Sequence, residues 1–164
     1  MCDVIFLCGP ERSPVPYSKL LASGCSLFFR RLFLGPFQEG TGQSSSGAQS
    51  VELPTVSAFA LRTALRLSLC LSDDSVPEPS PVPWESLAEV WAAGDYLELN
   101  VSGAVEAIAA QVLSSDAGDS VCGLMMAMAQ DKGAMGLEAV CRSHTLSHFV
   151  SVDPMGGTEA ALRL

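Results

Sequence analysis

Apolar runs broken by turn-forming residues open the chain and predict β-structure. Residues 3–8, DVIFLC, are apolar and β-branched, and Gly9 and Pro10 follow at once, which predicts a buried strand that ends in a turn. Pro14 and Pro16 then hold the backbone extended, because proline fixes its own φ and disfavours helix in the residue before it. The start of the chain is therefore predicted to be a strand followed by extended chain.

A helical period follows. Between residues 18 and 33 apolar side chains recur three and four positions apart, which predicts one amphipathic helix, and Gly35 and Pro36 end it. Residues 40–50 are rich in Gly and Ser and predict a flexible loop. Residues 51–54 then predict a short strand, and residues 56–71 a long apolar helix.

The second half of the chain is predicted to be almost entirely helical. Residues 72–83, SDDSVPEPSPVP, contain too much proline for regular structure and predict a second flexible loop. Apolar spacing then predicts helices over residues 84–96, 101–113, 121–130 and 136–149, before a loose tail at 151–164. With two or three early strands and five or so helices, the predicted fold class is α+β with helix in the majority.

Composition limits what such a chain can be. Its 164 residues suggest one domain and are enough to bury a core. Apolar residues make up 48% and charged residues 16%, compared with about 25% charged in a typical soluble protein. This excludes disorder as the main state, and the shortage of charge indicates that apolar surface is covered by a partner or by further chain.

Net charge argues against phosphate-rich partners. The chain carries 18 acidic and 9 basic residues, a net charge of −9, so we expect neither nucleic acid nor a membrane as a partner. We find no N-terminal signal and no apolar window of about 18 residues. The six cysteines form no CxxC pair, which favours buried, reduced thiols. A cytoplasmic or nuclear location is therefore expected.

Catalytic chemistry is sparse. The chain contains no GxGxxG, no GxxxxGK[ST] and no GxSxG motif, and both of its histidines lie in the last predicted helix, where neither has an evident catalytic partner. We therefore predict that the chain is not an enzyme and needs no cofactor.

One spacing resembles a metal site. Cys141, His144 and His148 lie three and four positions apart on one predicted helix face, and Cys122 is a conceivable fourth ligand. Structural zinc sites usually draw ligands from turns and from more than one element, whereas Leu137, Cys141 and His144 fall on an apolar stripe. We therefore interpret these side chains as core and core margin, and predict no metal.

Several segments, taken in order, resemble the sequence pattern of BTB/POZ domains. Residues 3–6, DVIF, resemble the first core strand of the family, and residues 17–33, YSKLLASGCSLFFRRLF, resemble its A-H-(K/R)-x-V-L-A-A-C-S-x-Y-F-R-x-(M/L)-F segment. Residues 51–54, VELP, and 56–59, VSAF, resemble the strand and helix start that follow. Residues 93–99, AGDYLEL, resemble the pattern A-A-D-x-L-x-(L/M). The resemblance implies a BTB/POZ fold, a small mixed sheet flanked by a helical cluster.

The resemblance also divides the chain. It implies a BTB/POZ domain over residues 2–115, a helix pair at 116–150 resembling the 3-box that begins the BACK region, and a tail at 151–164. The sequence departs from the family at Ser18, where the family has histidine, and at the proline-rich residues 75–83, where a short strand normally lies. It also starts at Cys2 without a counterpart of the helix and strand that BTB partners exchange, so we expect a bare, weakened dimer face.

BTB domains are assembly modules, so the resemblance implies a protein-interaction function. One group dimerises, binds the cullin-3 scaffold and serves as the substrate adaptor of a ubiquitin ligase, with other domains recruiting the substrate. Those adaptors carry a hydrophobic-x-Glu motif after the first long helix, where this chain has Phe37 and Glu39. An apolar anchor with a charge that fixes its orientation suits such a contact. The resemblance adds a second contact on the 3-box pair, for which we name Leu124, Met125 and Met128.

Another group of BTB proteins recruits transcriptional corepressors. Asp3 and Lys19 match the two charged positions of the pocket that such proteins use, although a buried Asp–Lys pair is also a structural feature of the fold. The 3-box-like pair favours the cullin-3 interpretation over this alternative. A pure dimerisation module is a third interpretation. Among cullin-3 adaptors, the chain resembles the BTB module of an armadillo-repeat protein.

Overall fold

The computed structural model describes residues 2–35, 48–70 and 82–151. Most of the predicted loops 40–50 and 72–83, and all but the first residue of the predicted tail 151–164, lie outside these ranges. At the margin of the first loop, strand structure already begins at Gln49. At the margin of the second, Val82 is buried and belongs to the core.

The described residues form a three-stranded mixed sheet of β1 (Val4–Cys8), β2 (Ser13–Tyr17) and β3 (Gln49–Leu53). The order is β2-β1-β3, in which β1 pairs antiparallel with β2 and parallel with β3. The predicted α+β class is confirmed, with a small mixed sheet and helices in the majority.

Strand β2 is unusual because it contains two prolines. Pro16 stands opposite Ile5 and Pro14 opposite Leu7, at alternate positions of the antiparallel pair. Alternate residues of such a pair bond to the neighbouring strand, and proline has no N–H to donate, so these two residues turn their backbone groups away from β1. The stretch predicted only as extended chain is therefore an edge strand.

Seven α-helices and one 3₁₀ turn complete the described part. The first two helices, α1 and α2, replace the single helix predicted over residues 18–33, and the sixth begins three residues earlier than predicted. The bounds are α1 Lys19–Cys25, α2 Leu27–Leu34, α3 Ala58–Cys70, the 3₁₀ turn Trp84–Ser86, α4 Leu87–Tyr96, α5 Ser102–Leu113, α6 Gly118–Lys132 and α7 Met135–Ser151.

The break between α1 and α2 has a physical cause at Ser26. This residue is extended, with φ −139° and ψ 129°, and its hydroxyl accepts a hydrogen bond from the N–H of Phe29, which caps α2. The same hydroxyl donates to the carbonyl of Leu97 at 2.6 Å, and Ser26 forms an isolated bridge with Leu99. These contacts connect the start of α2 to the end of α4, and they form because the chain is extended at Ser26.

The core lies between one face of the sheet and the helices. Val4, Phe6 and Cys8 alternate along β1 and point to this face, where all three are buried. The Phe6 ring lies 4.8 Å from that of Phe29, which stacks on Phe33 at 5.9 Å. Aromatic contacts of this kind add to the free energy of burial, so α2 is held firmly on the sheet.

At the other end of the domain, α6 and α7 form an antiparallel pair joined by a tight turn. Gly133 adopts φ +66°, a left-handed conformation that favours glycine at the end of a helix. The pair packs against α5, and α6 also contacts α4. Buried side chains fill the interface from both helices: Cys122, Met125, Ala129, Leu137 and Cys141. The C-terminal pair is therefore part of the same packed body as the sheet and the other helices.

Candidate protein-interaction surfaces

Phe37 and Glu39, the predicted hydrophobic-x-Glu motif, lie outside the described residues. The described chain ends just before them, at Gly35, and the adjacent Leu34 is 73% exposed at the end of α2. A large apolar side chain therefore faces outward next to the position of the motif.

The three side chains predicted on α6 differ in exposure. Leu124 is 59% exposed, Met128 is partly buried, and Met125 is 1% exposed with its side chain in the core. Adjacent residues of a helix point about 100° apart, so one member of the set had to face inward once α7 packed against α6. Met125 therefore offers no surface to a partner, whereas the predicted contact at Leu124 and Met128 stays a prediction.

The α6–α7 pair presents further apolar surface that the sequence analysis did not single out. Met135, at the start of α7, and Leu146, near its end, are both more than half exposed. At about 100° per residue, both lie on the side of α7 opposite Leu137 and Cys141, which are buried in the core.

Asp3 and Lys19, the predicted charged pocket, do contact each other, but through the backbone. The carboxylate of Asp3 accepts a hydrogen bond from the backbone N–H of Lys19 at 2.7 Å, at the start of α1. The Lys19 ammonium lies 5.9 Å from the centre of the Phe33 ring, within range of a cation–π contact. The two charged groups thus serve the local fold, Asp3 holding the first turn of α1 and Lys19 covering an aromatic ring.

Helix α1 carries the most exposed large apolar side chain in the described part of the chain, Leu20. Leu20 is 80% exposed and Leu21 nearly half, while Leu27 at the start of α2 is half exposed. Gly24 lies between them on the exposed side, and a side chain added there would meet no atom within 4 Å. The 3–4 periodicity of residues 18–33 predicted one inward apolar face, but Leu20 and Leu21 fall on the exposed side of α1.

Cys122 and Cys141 meet between α6 and α7. The Cys122 thiol donates to the Cys141 carbonyl at 3.4 Å, and its Sγ lies 3.5 Å from the hydroxyl oxygen of Thr145. Burial raises the pKa of the Cys141 thiol to about 11, and the neighbouring Cys122 thiol raises it as well. A thiol held neutral in this way is a poor metal ligand.

His144 faces a carboxylate instead of the thiols. Its Nε2 lies 3.1 Å from Oδ1 of Asp119, in the first turn of α6. Within residues 2–35, 48–70 and 82–151, no three His, Cys, Asp or Glu side chains stand close enough to hold a metal ion. The His148 side chain of the predicted spacing falls outside what the structure describes.

One shallow cleft of about 340 Å³ lies between α5 and α7. Its floor is apolar, with Leu113 and Val140, and its rim includes His144 and serines. The Ser114 and Ser147 hydroxyls donate to carbonyls one turn back on their own helices. These two hydroxyls are therefore already engaged in contacts with the backbone of the preceding turn.

In the described part of the chain, no helix is long and apolar enough to cross a bilayer.

Comparison with solved structures gives a likeness to a BTB domain. The structure is similar to the BTB domain of zebrafish PATZ1, with a TM-score of 0.45 and 22% sequence identity, over 67% of this chain and 76% of that one. No protein-family model matches the chain, and no curated protein matches it either.

Proposed function

We propose that this chain is a BTB-type protein-interaction module and acts as the substrate adaptor of a cullin-3 ubiquitin ligase. The observation that carries the proposal is the α6–α7 pair, which packs on α5 and turns Leu124 outward. The resemblance implies a 3-box helix pair at this position, which in the family extends the surface that contacts cullin-3. A packed helix pair with an outward leucine suits that role, because it offers an apolar anchor that needs no ordering on binding.

The segments that resemble the BTB pattern also have consistent places in the structure. Residues 3–6 lie in or next to β1, residues 17–33 contain α1 and most of α2, and residues 51–54 include the end of β3. Residues 56–59 lead into α3, and residues 93–99 contain the end of α4. The segments to which the resemblance assigns a strand or a helix start therefore have that secondary structure, which supports the proposed family.

A second part of the proposal is self-association through α1. Leu20, Leu21 and Leu27 expose apolar surface that a second copy of the chain would cover. Leu20→Glu should lower the apparent mass of the chain in sedimentation equilibrium, whereas Leu146→Glu, at another exposed leucine on α7, should leave it unchanged. A mass equal to one chain for the unmodified protein at all concentrations would contradict this part.

Binding to the N-terminal region of cullin-3 tests the main proposal. We expect Leu124→Glu to weaken binding at least tenfold in a titration, because it places a charge in an apolar contact. Gln130→Glu is the matched control, since it adds the same charge at another exposed position of α6 and should change affinity little. Phe37→Ala combined with Glu39→Arg should weaken binding further.

The outcomes distinguish a wrong assignment of the contact residues from a wrong assignment of the function. Binding that survives both the Leu124 and the Phe37–Glu39 substitutions would overturn the site, while absence of binding by the unmodified chain would overturn the function. In the second case, a titration with a corepressor peptide addresses the alternative, a BTB module that dimerises and recruits corepressors in a transcriptional regulator. Asp3 and Lys19 are engaged in local contacts, so no observation here favours that alternative.

A further inference from the structure

The outward side of α3 forms a continuous stripe that the proposed function does not use. Phe59, Arg62, Arg66 and Leu69 are all exposed, and they follow one another at three- and four-residue steps. At about 100° per residue, these four side chains lie within a narrow arc of the helix. We call them the α3 stripe: two arginines one turn apart, with an apolar residue at each end.

The two arginines of the α3 stripe have no carboxylate partner among the residues that the structure describes. Arg62 donates to the carbonyl of Pro14 at 3.4 Å, and α3 itself contains no acidic residue. By contrast, Arg12, Arg31 and Arg142 each form an ion pair with a glutamate. In a chain with twice as many acidic as basic residues, two neighbouring arginines without an ion pair are a specific feature of this helix.

We propose that the α3 stripe docks an acidic amphipathic helix from a partner protein. Carboxylates one turn apart on that helix would pair with Arg62 and Arg66, and apolar residues at its two ends would cover Phe59 and Leu69. Guanidinium groups favour carboxylates because the planar fork can donate two parallel hydrogen bonds. The stripe spans eleven residues, about 15 Å along the helix axis, which matches about three turns of a partner helix.

The charge distribution favours a short acidic segment over a large polyanion. Residues 71–164 hold 14 of the 18 acidic residues and 3 of the 9 basic ones. A nucleic acid or an anionic bilayer would extend over this acidic part and be repelled. A helix of a few turns would instead cover mainly the stripe itself, whose two charged side chains are both basic.

Selection from a displayed library of random 16-residue peptides, with the full chain as bait, tests the proposal. We expect enrichment of peptides with two acidic residues three or four positions apart, flanked by apolar residues. Fluorescence anisotropy of an enriched peptide should then show at least tenfold weaker binding to the Arg62→Glu/Arg66→Glu variant. Affinity for the unmodified chain should fall with added salt.

A charge-matched control separates local from overall electrostatics. Arg12→Glu/Arg142→Glu changes the net charge by the same amount at exposed positions elsewhere and should weaken binding less than threefold. Equal losses in both variants, or enriched peptides without acidic residues, would overturn the proposal. Loss of a self-associated state in Arg62→Glu/Arg66→Glu would assign the stripe to a second copy of the chain. Binding of phosphatidylserine vesicles through the stripe would assign it to a membrane, and either result would overturn the partner class.

Discussion

The carboxylate of Asp3 accepts a hydrogen bond from the backbone N–H of Lys19, sixteen residues later in the chain, with 2.7 Å between Oδ1 and N. The residue just before α1 is Ser18, whose side chain makes no capping hydrogen bond. A carboxylate next to the first turn of a helix also interacts favourably with the helix dipole. Asp3 therefore replaces the local cap and fixes α1 to the start of β1.

Asp3→Ala should lower the free energy of unfolding by about 1 kcal/mol, because the start of α1 loses its charged acceptor. Urea denaturation followed by circular dichroism measures this. Asp116→Ala, which removes an exposed carboxylate between α5 and α6, is the control and should change stability by less than about 0.5 kcal/mol. Equal effects of the two substitutions would contradict the capping role.

Ser26→Ala should be more costly than loss of an ordinary helix cap. It removes two buried hydrogen bonds, one to the N–H of Phe29 and one to the carbonyl of Leu97, so we expect a loss of about 2 kcal/mol. Ser57→Ala removes a single, partly buried cap on the N–H of Ala60 and should cost about 1 kcal/mol. If urea denaturation gave the same loss of stability for both variants, the hydrogen bond from Ser26 to Leu97 would contribute nothing to stability.

Alanine should have opposite effects at two helical glycines. At Gly94 a methyl group would overlap Cγ2 of Val101, a buried side chain with no room to move, so Gly94→Ala should destabilise the chain by about 1–3 kcal/mol. At Gly123 the space is open, and alanine should stabilise α6 by about 0.5–1 kcal/mol. Thermal unfolding of both variants checks the signs, and a stable Gly94→Ala protein would mean that α4 does not approach Val101 so closely.

Leu124 and Met125 should respond differently to the same substitution. Met125→Ala removes a fully buried side chain and should cost about 2–5 kcal/mol of stability. Leu124→Ala should leave stability within about 0.5 kcal/mol and should instead weaken cullin-3 binding under the proposed function. Chemical denaturation and a binding titration on both variants provide the comparison, and a large stability loss at Leu124 would show that its side chain is buried.

Stability should fall at alkaline pH partly because of Cys141. Burial raises the pKa of this thiol in the folded chain from 9.0 to about 11, so the fold favours the neutral form. The stability that Cys141 contributes is fully present below pH 9, where the thiol is neutral in both the folded and the unfolded chain. It is lost as the pH rises from 9 toward 11, because the thiol then ionises more readily in the unfolded chain. Burial also raises the pKa of Cys8, Cys25 and Tyr17 in the folded chain, so other groups share this decline.

The free energy of unfolding, measured from pH 7 to pH 11, tests this assignment. Cys141→Ala should make the alkaline decline shallower than in the unmodified chain. Cys2→Ala, which removes an exposed thiol, should leave the slope unchanged. An identical slope for Cys141→Ala would show that this thiol titrates normally in the fold.

Local patterns in the sequence predicted much of the fold. Residues 3–8 and 51–54 identified two strands, because short apolar or β-branched runs next to turn residues leave few other structures. The break at Ser26 was missed because α1 and α2 are both apolar and keep the helical period across it. Strand β2 was missed as a strand because its prolines are tolerated only at an edge, and no local signal shows which strand is the edge.

The candidate site was less predictable, since exposure depends on distant elements. Leu124 and Met125 are adjacent, apolar and helical, and only the docking of α7 decides which one faces outward. The same holds for Leu20, which lies within the apolar period of residues 18–33 and yet is largely exposed. The pairing of Asp3 with the backbone of Lys19 could not be read from their charges, because it depends on where β1 ends relative to α1.

The prolines of β2 determine which edge of the sheet can pair with a further strand. On the outer side of β2, Pro14 and Pro16 offer no N–H, so an added strand would find acceptors without donors and could not form a ladder. In β3, the N–H of Gln49 donates to the carbonyl of Asp3, and the carbonyl of Leu53 accepts from the N–H of Gly9. The backbone groups of the alternate residues Ser50 and Glu52 therefore point away from β1. An extended peptide that added a strand to this sheet would therefore have to pair with β3. On the β2 side, the missing N–H groups of the two prolines prevent such pairing, including the strand stacking that builds fibrils.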